Sequence, residues 1–484
     1  MQPNLKKNYL YRVFYEVLIL ITPLVTTPYI SRVLGADGVG VYSYTHSYAM
    51  YFMLFGALGT LGYGAREIAR NRDNKYLSSK LFWEIELMTV ITSSICIFAW
   101  IVFIFISSEY RLYYIALTPF LFSTMFDISW YFTGFEKIKY LVVINSAVRI
   151  SSIILLFVLV KHEDDLLMYC IINSVSMLAG NLSMWAYLPK MLVQVNYREL
   201  QLKHHFQETL IYFIPTIATS IYTVLDKTLI GAITGSAFQN GYYEQATKII
   251  NIVKSVVFVA VNSVMSARIS YLFAEEKYNE VKAKISKSMD FIYLLGYGSL
   301  FGLTGIASKF VPIFFGEGYE PVITLLYMMS PLVIIIGTSH CLGSQYYTPI
   351  GQRKRSAKVI VLGAVINLCL NLLLIPKFLS YGATIASVVA EITIAVLYVN
   401  MSAGYMTWRQ LAYMSWKRLV AGSIMCLIVC LVSRFMSLNG VIALLILIMS
   451  GASIYILILW LLHDSMLIEL FCMGKNFLNK KVGK

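Results

Sequence analysis

Runs of about twenty apolar residues recur along the whole of this 484-residue chain, and nothing else constrains its fold as tightly. A bilayer core about 30 Å thick takes roughly 20 residues of helix, and hydrocarbon requires each backbone N–H and C=O to be satisfied internally. Spans are expected near 9–30, 42–64, 81–106, 112–132, 141–160, 166–188, 210–233, 242–267, 289–308, 322–343, 359–376, 381–403, 419–436 and 440–462. The expected fold is all-α, a polytopic membrane protein of about 14 transmembrane helices. Only 13% of the residues are charged, against roughly 25% in soluble domains, so a polar surface cannot be built. A cytosolic enzyme, a secreted disulfide scaffold and a disordered chain are excluded. The seven scattered cysteines form no C-x-x-C pair and read as buried free thiols. The opening run continues to Ile30 without a small-x-small cleavage site, so it reads as a retained first helix.

The net charge of +14 sorts by loop. Of the lysines and arginines, 28 lie in the N-terminus, alternate loops and the C-terminal tail. Five (Arg32, Arg111, Lys161, Lys309, Lys377) lie in the other loops, and six lie within spans. Basic loops stay on the cytoplasmic side, so both termini are expected there. The basic balance is then topological, and no nucleic-acid partner is required. No G-x-x-x-x-G-K-[ST] motif occurs, so the chain carries no ATPase of its own.

The expected organisation is an N-lobe of six helices (1–188), a cytoplasmic linker (189–209), a C-lobe of six helices (210–403), and two further helices with a cytoplasmic tail (404–484). Segment 268–288 is charged at helical spacing and reads as an interfacial amphipathic helix or a solvated connector. Two pairs of segments repeat: GVYSYT (Gly40 to Thr45) with GYYEQAT (Gly241 to Thr247), and the segment from Tyr131 to Val143 with that from Tyr347 to Val359. Pseudo-symmetric halves of this kind are common in transporters, with the substrate site at the repeat interface.

Ionisable residues within spans are costly and usually face a cavity or a partner. At about 100° per residue, Glu244, Lys248, Asn251, Ser255, Asn262 and Ser266 share one face of span eight. Lys254 lies off that face. Tyr212, Thr216, Ser220, Thr223 and Lys227 form a second stripe, on span seven, and Arg12, Glu16 and Thr26 a third, on span one. Asp127, Arg149, Lys227, Lys248, Lys254 and Glu391 lie deep in their spans and are candidates for a wet cavity. Arg12–Glu16 and Glu244–Lys248 are spaced i,i+4 and can also neutralise each other. Glu84 and Arg434 lie near span ends and are expected to snorkel to the headgroups. His46 and His340 read as polar helix contacts, with proton relay the alternative. Lysine and arginine in a cavity call for an anion, most simply phosphate or pyrophosphate, and acids would serve ion coupling.

The segments TPYISRVLGADGVGVYSY (Thr27 to Tyr44), YGAREIARNRD (Tyr63 to Asp73), LDKTLIG (Leu225 to Gly231) and GYYEQATKI (Gly241 to Ile249) resemble Wzx-type polysaccharide flippases. These belong to the multidrug/oligosaccharidyl-lipid/polysaccharide exporter superfamily. The layout matches over spans one to twelve. One departure is Ala267 before Arg268, where many members carry proline. The resemblance implies two six-helix bundles in a V shape, alternating access and a cationic cavity. It implies a multi-pass protein of the bacterial cytoplasmic membrane that is a transporter, not an enzyme. The implied substrate is undecaprenyl-pyrophosphate-linked oligosaccharide, moved from the inner to the outer leaflet, with a proton or sodium gradient as energy source and no cofactor. Lys227, Lys248, Lys254, Arg149, Arg12 and Arg32 are the expected pyrophosphate-binding cations. Asp127, Asp226, Glu244, Glu16 and Glu391 are expected to couple ions or pair charges, and Asn251, Ser255, Thr216, Ser220 and Thr223 to line the cavity. Of these, Arg32, Asp226, Lys227, Glu244 and Lys248 are carried over by motif match. Membrane lipids are expected partners, and a polysaccharide polymerase and a chain-length regulator are candidate protein partners. A lipid II flippase and a cation-coupled multidrug exporter of the same superfamily are the alternatives.

Overall fold

A computed structural model describes residues 5–436 and 440–482. Side chains 5–10, 12, 138, 211–212, 214–216, 218–223, 259–260, 262–264, 267 and 474–482 lie outside that description, and with them Arg12, Thr216, Ser220, Thr223 and Asn262. The described residues form helices joined by short turns, and they pack as two compact units, 1–241 and 242–484.

Nine helices among the described residues are long and apolar enough to cross a membrane, or ten if one bent pair counts as a single span. Their outward faces are apolar: on one helix Phe98, Phe105 and Ile106 are 70%, 73% and 78% exposed. In water such a surface would aggregate, whereas in lipid it is the solvated face.

The first unit holds α1 (Leu5–Ala57), α2 (Thr60–Asn71), α3 (Lys75–Ile106), α4 (Arg111–Met125), α5 (Ser129–Gly134), α6 (Ile138–Leu159), α7 (Leu166–Trp185) and α8 (Leu202–Thr234). The helix α1 contains the first expected span and most of the second, which breaks at Leu58–Gly59 and ends in α2. The loop expected between them is a kink at Gly35, whose φ of 64° suits a residue without Cβ. Between α4 and α5 the backbone breaks at 126–128, and α7 satisfies the carbonyls around that break. Asn181 Nδ2 donates to the Ser123 carbonyl (2.7 Å) and Trp185 Nε1 to that of Phe126 (3.0 Å), and two helix turns away, within α4, Ser174 Oγ donates to that of Ala116 (2.6 Å). In hydrocarbon such freed carbonyls need partners. The segment 189–201 is held against α3, with Val193 N donating to Ser79 Oγ (3.0 Å).

The helices α2 and α3 and the start of α8 meet at a buried polar cluster. His205 Nε2 lies 2.9 Å from Glu84 Oε2, His205 Nδ1 lies 2.7 Å from Tyr63 Oη, and Gln201 N donates to Glu84 Oε1 at 2.8 Å. Glu84 is 3% exposed and so does not snorkel. Its partner lies 121 residues away in sequence, where no local pattern could reveal it. Arg434, by contrast, is exposed as expected. His205→Ala strands a buried acceptor and is expected to lower stability by about 1–3 kcal/mol. His205→Gln, which keeps a donor, is expected to lose less. Thermal unfolding of the detergent-solubilised protein checks this, and equal losses would contradict it.

The second unit contains the rest of α9 (Ala237–Lys254), a π-turn at Ser255–Val259, α10 (Ala260–Ala274), α11 (Tyr278–Phe315), α12 (Glu320–Met329) and α13 (Leu332–Leu342). A second π-turn at Gly343–Tyr347 follows, then α14 (Arg353–Asn400), α15 (Trp408–Phe435), α16 (Val441–Leu461) and α17 (Ser465–Val482). The helix α14 carries two expected spans across a kink at Leu379. Pro376 removes a helix donor three residues before that kink. The charged segment 268–288 is no separate helix: it ends α10, turns at 275–277 and opens α11. The turn pairs Lys277 Nζ with Glu275 Oε2 at 2.6 Å, and that hydrogen bond holds the exposed Glu275 carboxyl below its usual range. Val281, Ile285, Met289 and Ile292 are fully buried at helical spacing, so amphipathicity here serves the packing of α11.

Among the cysteines, Cys170 and Cys341 are buried as expected. Cys96 and Cys426 are half-buried, and Cys369, Cys430 and Cys472 are exposed, all as free thiols.

Candidate functional site

The motif segments pack on one another. In the first unit, Gly231 of LDKTLIG leaves room for the Tyr44 ring: a Cβ there would lie 2.1 Å from Tyr44 Cδ2. Thr228 Oγ1 donates to Ser47 Oγ (2.9 Å) and lies 3.1 Å from Tyr51 Oη. Asn240 Nδ2 donates to the Lys227 carbonyl (2.9 Å). Asp226 is buried and Lys227 half-buried at this junction. The repeat segments also meet. A Cβ on Gly40 would lie 1.7 Å from the Ala237 carbonyl oxygen, and one on Gly241 would lie 2.0 Å from that of Ala36. Ala36–Gly40 and Ala237–Gly241 are thus two small-x-x-x-small pairs in reciprocal contact. Much of the motif signal is backbone approach.

Arg149 lines a cavity of about 430 Å³ in the first unit. Its Nε donates to Thr22 Oγ1 at 3.0 Å. Thr26, Asp127, Asn145, Asn173, Ser176 and Asn181 share the wall, so Arg149 faces mainly amides and hydroxyls. The sequence reading did not single out the three asparagines. Asn145 stands i−4 from Arg149, and Asn173 and Asn181 share a face of α7, a signal that helical projection of spans five and six would have exposed. Asp127 does not sit inside a regular helix. It lies at the α4–α5 break, where Oδ1 accepts from Ser129 N (3.0 Å), and it borders a second, smaller cavity lined by Tyr51, Thr60 and Thr124. Glu86 is 1% exposed. Neither of its carboxyl oxygens has a hydrogen-bond partner among the described residues, and Asp127 is the charged group acting on it.

Arg32 and Glu16 are exposed along α1, and Arg32 Nη1 donates to the Pro28 carbonyl (3.2 Å). In the second unit Lys248 Nζ is 3.4 Å from Glu244 Oε1, the i,i+4 pairing that the spacing allowed. Lys254 and Glu391 interact electrostatically, and Glu391 is buried. Asn251 is exposed, and Ser255 Oγ donates to its carbonyl (2.9 Å). The π-turn at 255–259 inserts a residue into the helical count, so a projection at 100° per residue loses register there. His46 stacks on Tyr42, with ring centroids 5.3 Å apart, and His340 lies 5.3 Å from the Phe258 ring. No cluster of metal-ligating residues occurs among the described residues.

Comparison with known proteins agrees with this picture. Two relatives named "Putative O-antigen transporter" are similar over most of the chain. The one from Escherichia coli (strain K12) is 24% identical over 406 residues, covering 81% of this chain and 95% of the relative. The one from Shigella dysenteriae is 22% identical over 400 residues, covering 82% and 99%. Among solved structures, the inward closed conformation of the lipid II flippase MurJ superposes with a TM-score of 0.73 at 14% identity, over 95% of this chain and 99% of that one. An inward-facing multidrug resistance MATE family transporter of the MOP superfamily superposes at 0.60 and 12% identity, over 81% and 98%. At these identities the structures speak for the fold alone. A family model described as polysaccharide biosynthesis protein matches residues 5–273, which hold every motif quoted above. This chain belongs to the polysaccharide biosynthesis protein family of multi-pass membrane proteins.

Proposed function

We propose that the chain is a flippase. It moves undecaprenyl-pyrophosphate-linked oligosaccharide repeat units from the inner to the outer leaflet of the cytoplasmic membrane by alternating access, coupled to a proton or sodium gradient. It crosses the membrane fourteen times with both termini cytoplasmic, in keeping with the 28-to-5 split of its loop cations. The observation that carries this reading is the polar cavity of about 430 Å³ within a membrane-spanning unit, where Arg149 stands among amides and hydroxyls. Such a lining suits a ligand that is both anionic and rich in hydroxyls, and suits a cationic drug poorly.

In this reading Lys227, Lys248, Lys254, Arg149, Arg12 and Arg32 serve the pyrophosphate, and the asparagines and threonines of the cavity serve the sugars. Lys248 exchanges Glu244 for substrate, and the acids Asp127, Asp226, Glu244, Glu16 and Glu391 balance charge or carry the coupling ion. Translocation then needs only that substrate and ion bind the two access states unequally. Lys227→Ala with Lys248→Ala is expected to abolish surface polysaccharide in cells whose only copy is the variant, by 10²-fold or more if two charge-assisted contacts of about 1.5–3 kcal/mol each are lost. Normal polysaccharide with the double variant correctly inserted would overturn the assignment of these lysines.

A further inference from the structure

Where α11, α15 and α17 begin, the second unit encloses a polar pocket of about 520 Å³. Its floor is Arg418, 1% exposed and locked on both sides. Nη1 lies 2.7 Å from Asp290 Oδ1, while Nε and Nη2 donate to Asp464 Oδ2 and Oδ1 at 3.1 and 3.2 Å. Its rim carries Arg409 and Lys417. Lys417 Nζ gives one bond to the His463 carbonyl (2.8 Å), leaving two of its three donors. Arg409 makes no ion pair among the described residues. The two carboxylates and three cations leave the pocket with one net positive charge.

A separate apolar groove of about 530 Å³ lies further along α11 and α15, with α16 as another wall, and is lined by Leu294, Gly298, Gly302, Met425, Leu447 and Tyr455. Steps of four along α11 lead from Ser286 and Asp290 into Leu294, Gly298 and Gly302, so one helix face passes from polar to apolar. Within the groove, Tyr455 Oη donates to the Leu294 carbonyl (2.9 Å), one turn of α11 from Asp290. Tyr413 and Trp416, exposed beside the pocket, are the aromatic pair expected at a membrane–water boundary.

We propose that this pocket and groove hold a resident glycerophospholipid of the leaflet facing the basic loops. Its phosphodiester sits on Arg409 and Lys417, and one acyl chain lies along α11, α15 and α16. The single net charge fits a phosphodiester monoanion, and the floor carboxylates oppose the higher charge of a pyrophosphate, so the substrate is not the occupant. Free phosphate would leave the groove unfilled.

Native mass spectrometry of the purified full chain tests this, titrating short-chain phosphatidylglycerol and phosphatidylethanolamine, with inorganic phosphate and a polyprenyl pyrophosphate as competitors. Arg409→Gln with Lys417→Gln is expected to weaken phospholipid binding at least about tenfold. Lys282→Gln with Lys284→Gln, an equal charge loss on the exposed face of α11, is expected to leave it unchanged. Gly302→Leu fills the groove, since a Cβ there meets only Met425 Cε at 4.0 Å, and is expected to weaken binding without altering charge. Undiminished binding in the rim variant, an equal loss in the lysine control, or displacement by inorganic phosphate as effective as by phospholipid would each overturn the proposal. Preferential retention of the polyprenyl pyrophosphate would overturn it in favour of a substrate site.

Discussion

Arg418→Ala is expected to destabilise the second unit by about 3–5 kcal/mol, the usual cost of stripping one partner from a buried ion cluster. Arg418 bonds two carboxylates from helices far apart in sequence: Asp290 on α11 and Asp464 just before α17. It also donates to the Asp290 backbone carbonyl at 2.8 Å. Asp464 in turn accepts from Leu467 N (3.0 Å) at the start of α17. Removing the guanidinium leaves two buried or half-buried acids facing each other, and uncouples α15 and α17 from α11. Adding Asp290→Asn to Arg418→Ala should recover part of the loss, because one stranded charge is gone. Thermal unfolding followed by size-exclusion recovery reads this out. An Arg418→Ala midpoint equal to that of the parent, or no recovery in the double variant, would contradict it.

The second large effect is expected at Gly241. A Cβ there meets the Ala36 carbonyl oxygen at 2.0 Å and its carbon at 2.9 Å, and both are backbone atoms that no rotamer change can move. Gly241→Val must push α1 and α9 apart, at a cost of about 3 kcal/mol or more, beyond ordinary overpacking. Gly40→Val should match it, since the contact is reciprocal. Gly302→Ala provides the control, because that position is open. Both glycine variants should insert but show low recovery of monodisperse protein. Recovery equal to that of Gly302→Ala would refute the close approach.

These contacts mark what the sequence could and could not reveal. Hydropathy alone predicts a helical membrane protein, because hydrocarbon allows so few alternatives. The similar segments GVYSYT and GYYEQAT predict internal symmetry, and the structure gives that repeat a physical cause in the paired Ala–Gly steps. Local periodicity fails where helices stop being regular. The π-turn at 255–259 takes span eight out of register with a regular helical projection, and the break at 126–128 turns Asp127 from a mid-helix charge into a turn acceptor. It fails again where partners are distant, since nothing near Glu84 announces His205, and nothing near Arg418 announces Asp290 or Asp464. The site cations were legible as residues. The pairing of Lys248 with Glu244 was legible at i,i+4, whereas that of Lys254 with Glu391, 137 residues away, depended on tertiary structure.

The proposed activity is movement of a lipid-linked oligosaccharide across a bilayer. The direct measurement uses purified protein in liposomes carrying a fluorescent polyprenyl-pyrophosphate-linked oligosaccharide, with a membrane-impermeant quencher or glycosidase added outside. The parent protein is predicted to expose inner-leaflet substrate faster than empty liposomes do, and Lys227→Ala with Lys248→Ala to remove that gain. Parent liposomes that protect the inner-leaflet pool as fully as empty ones, with an ion gradient imposed in either direction, would contradict the account.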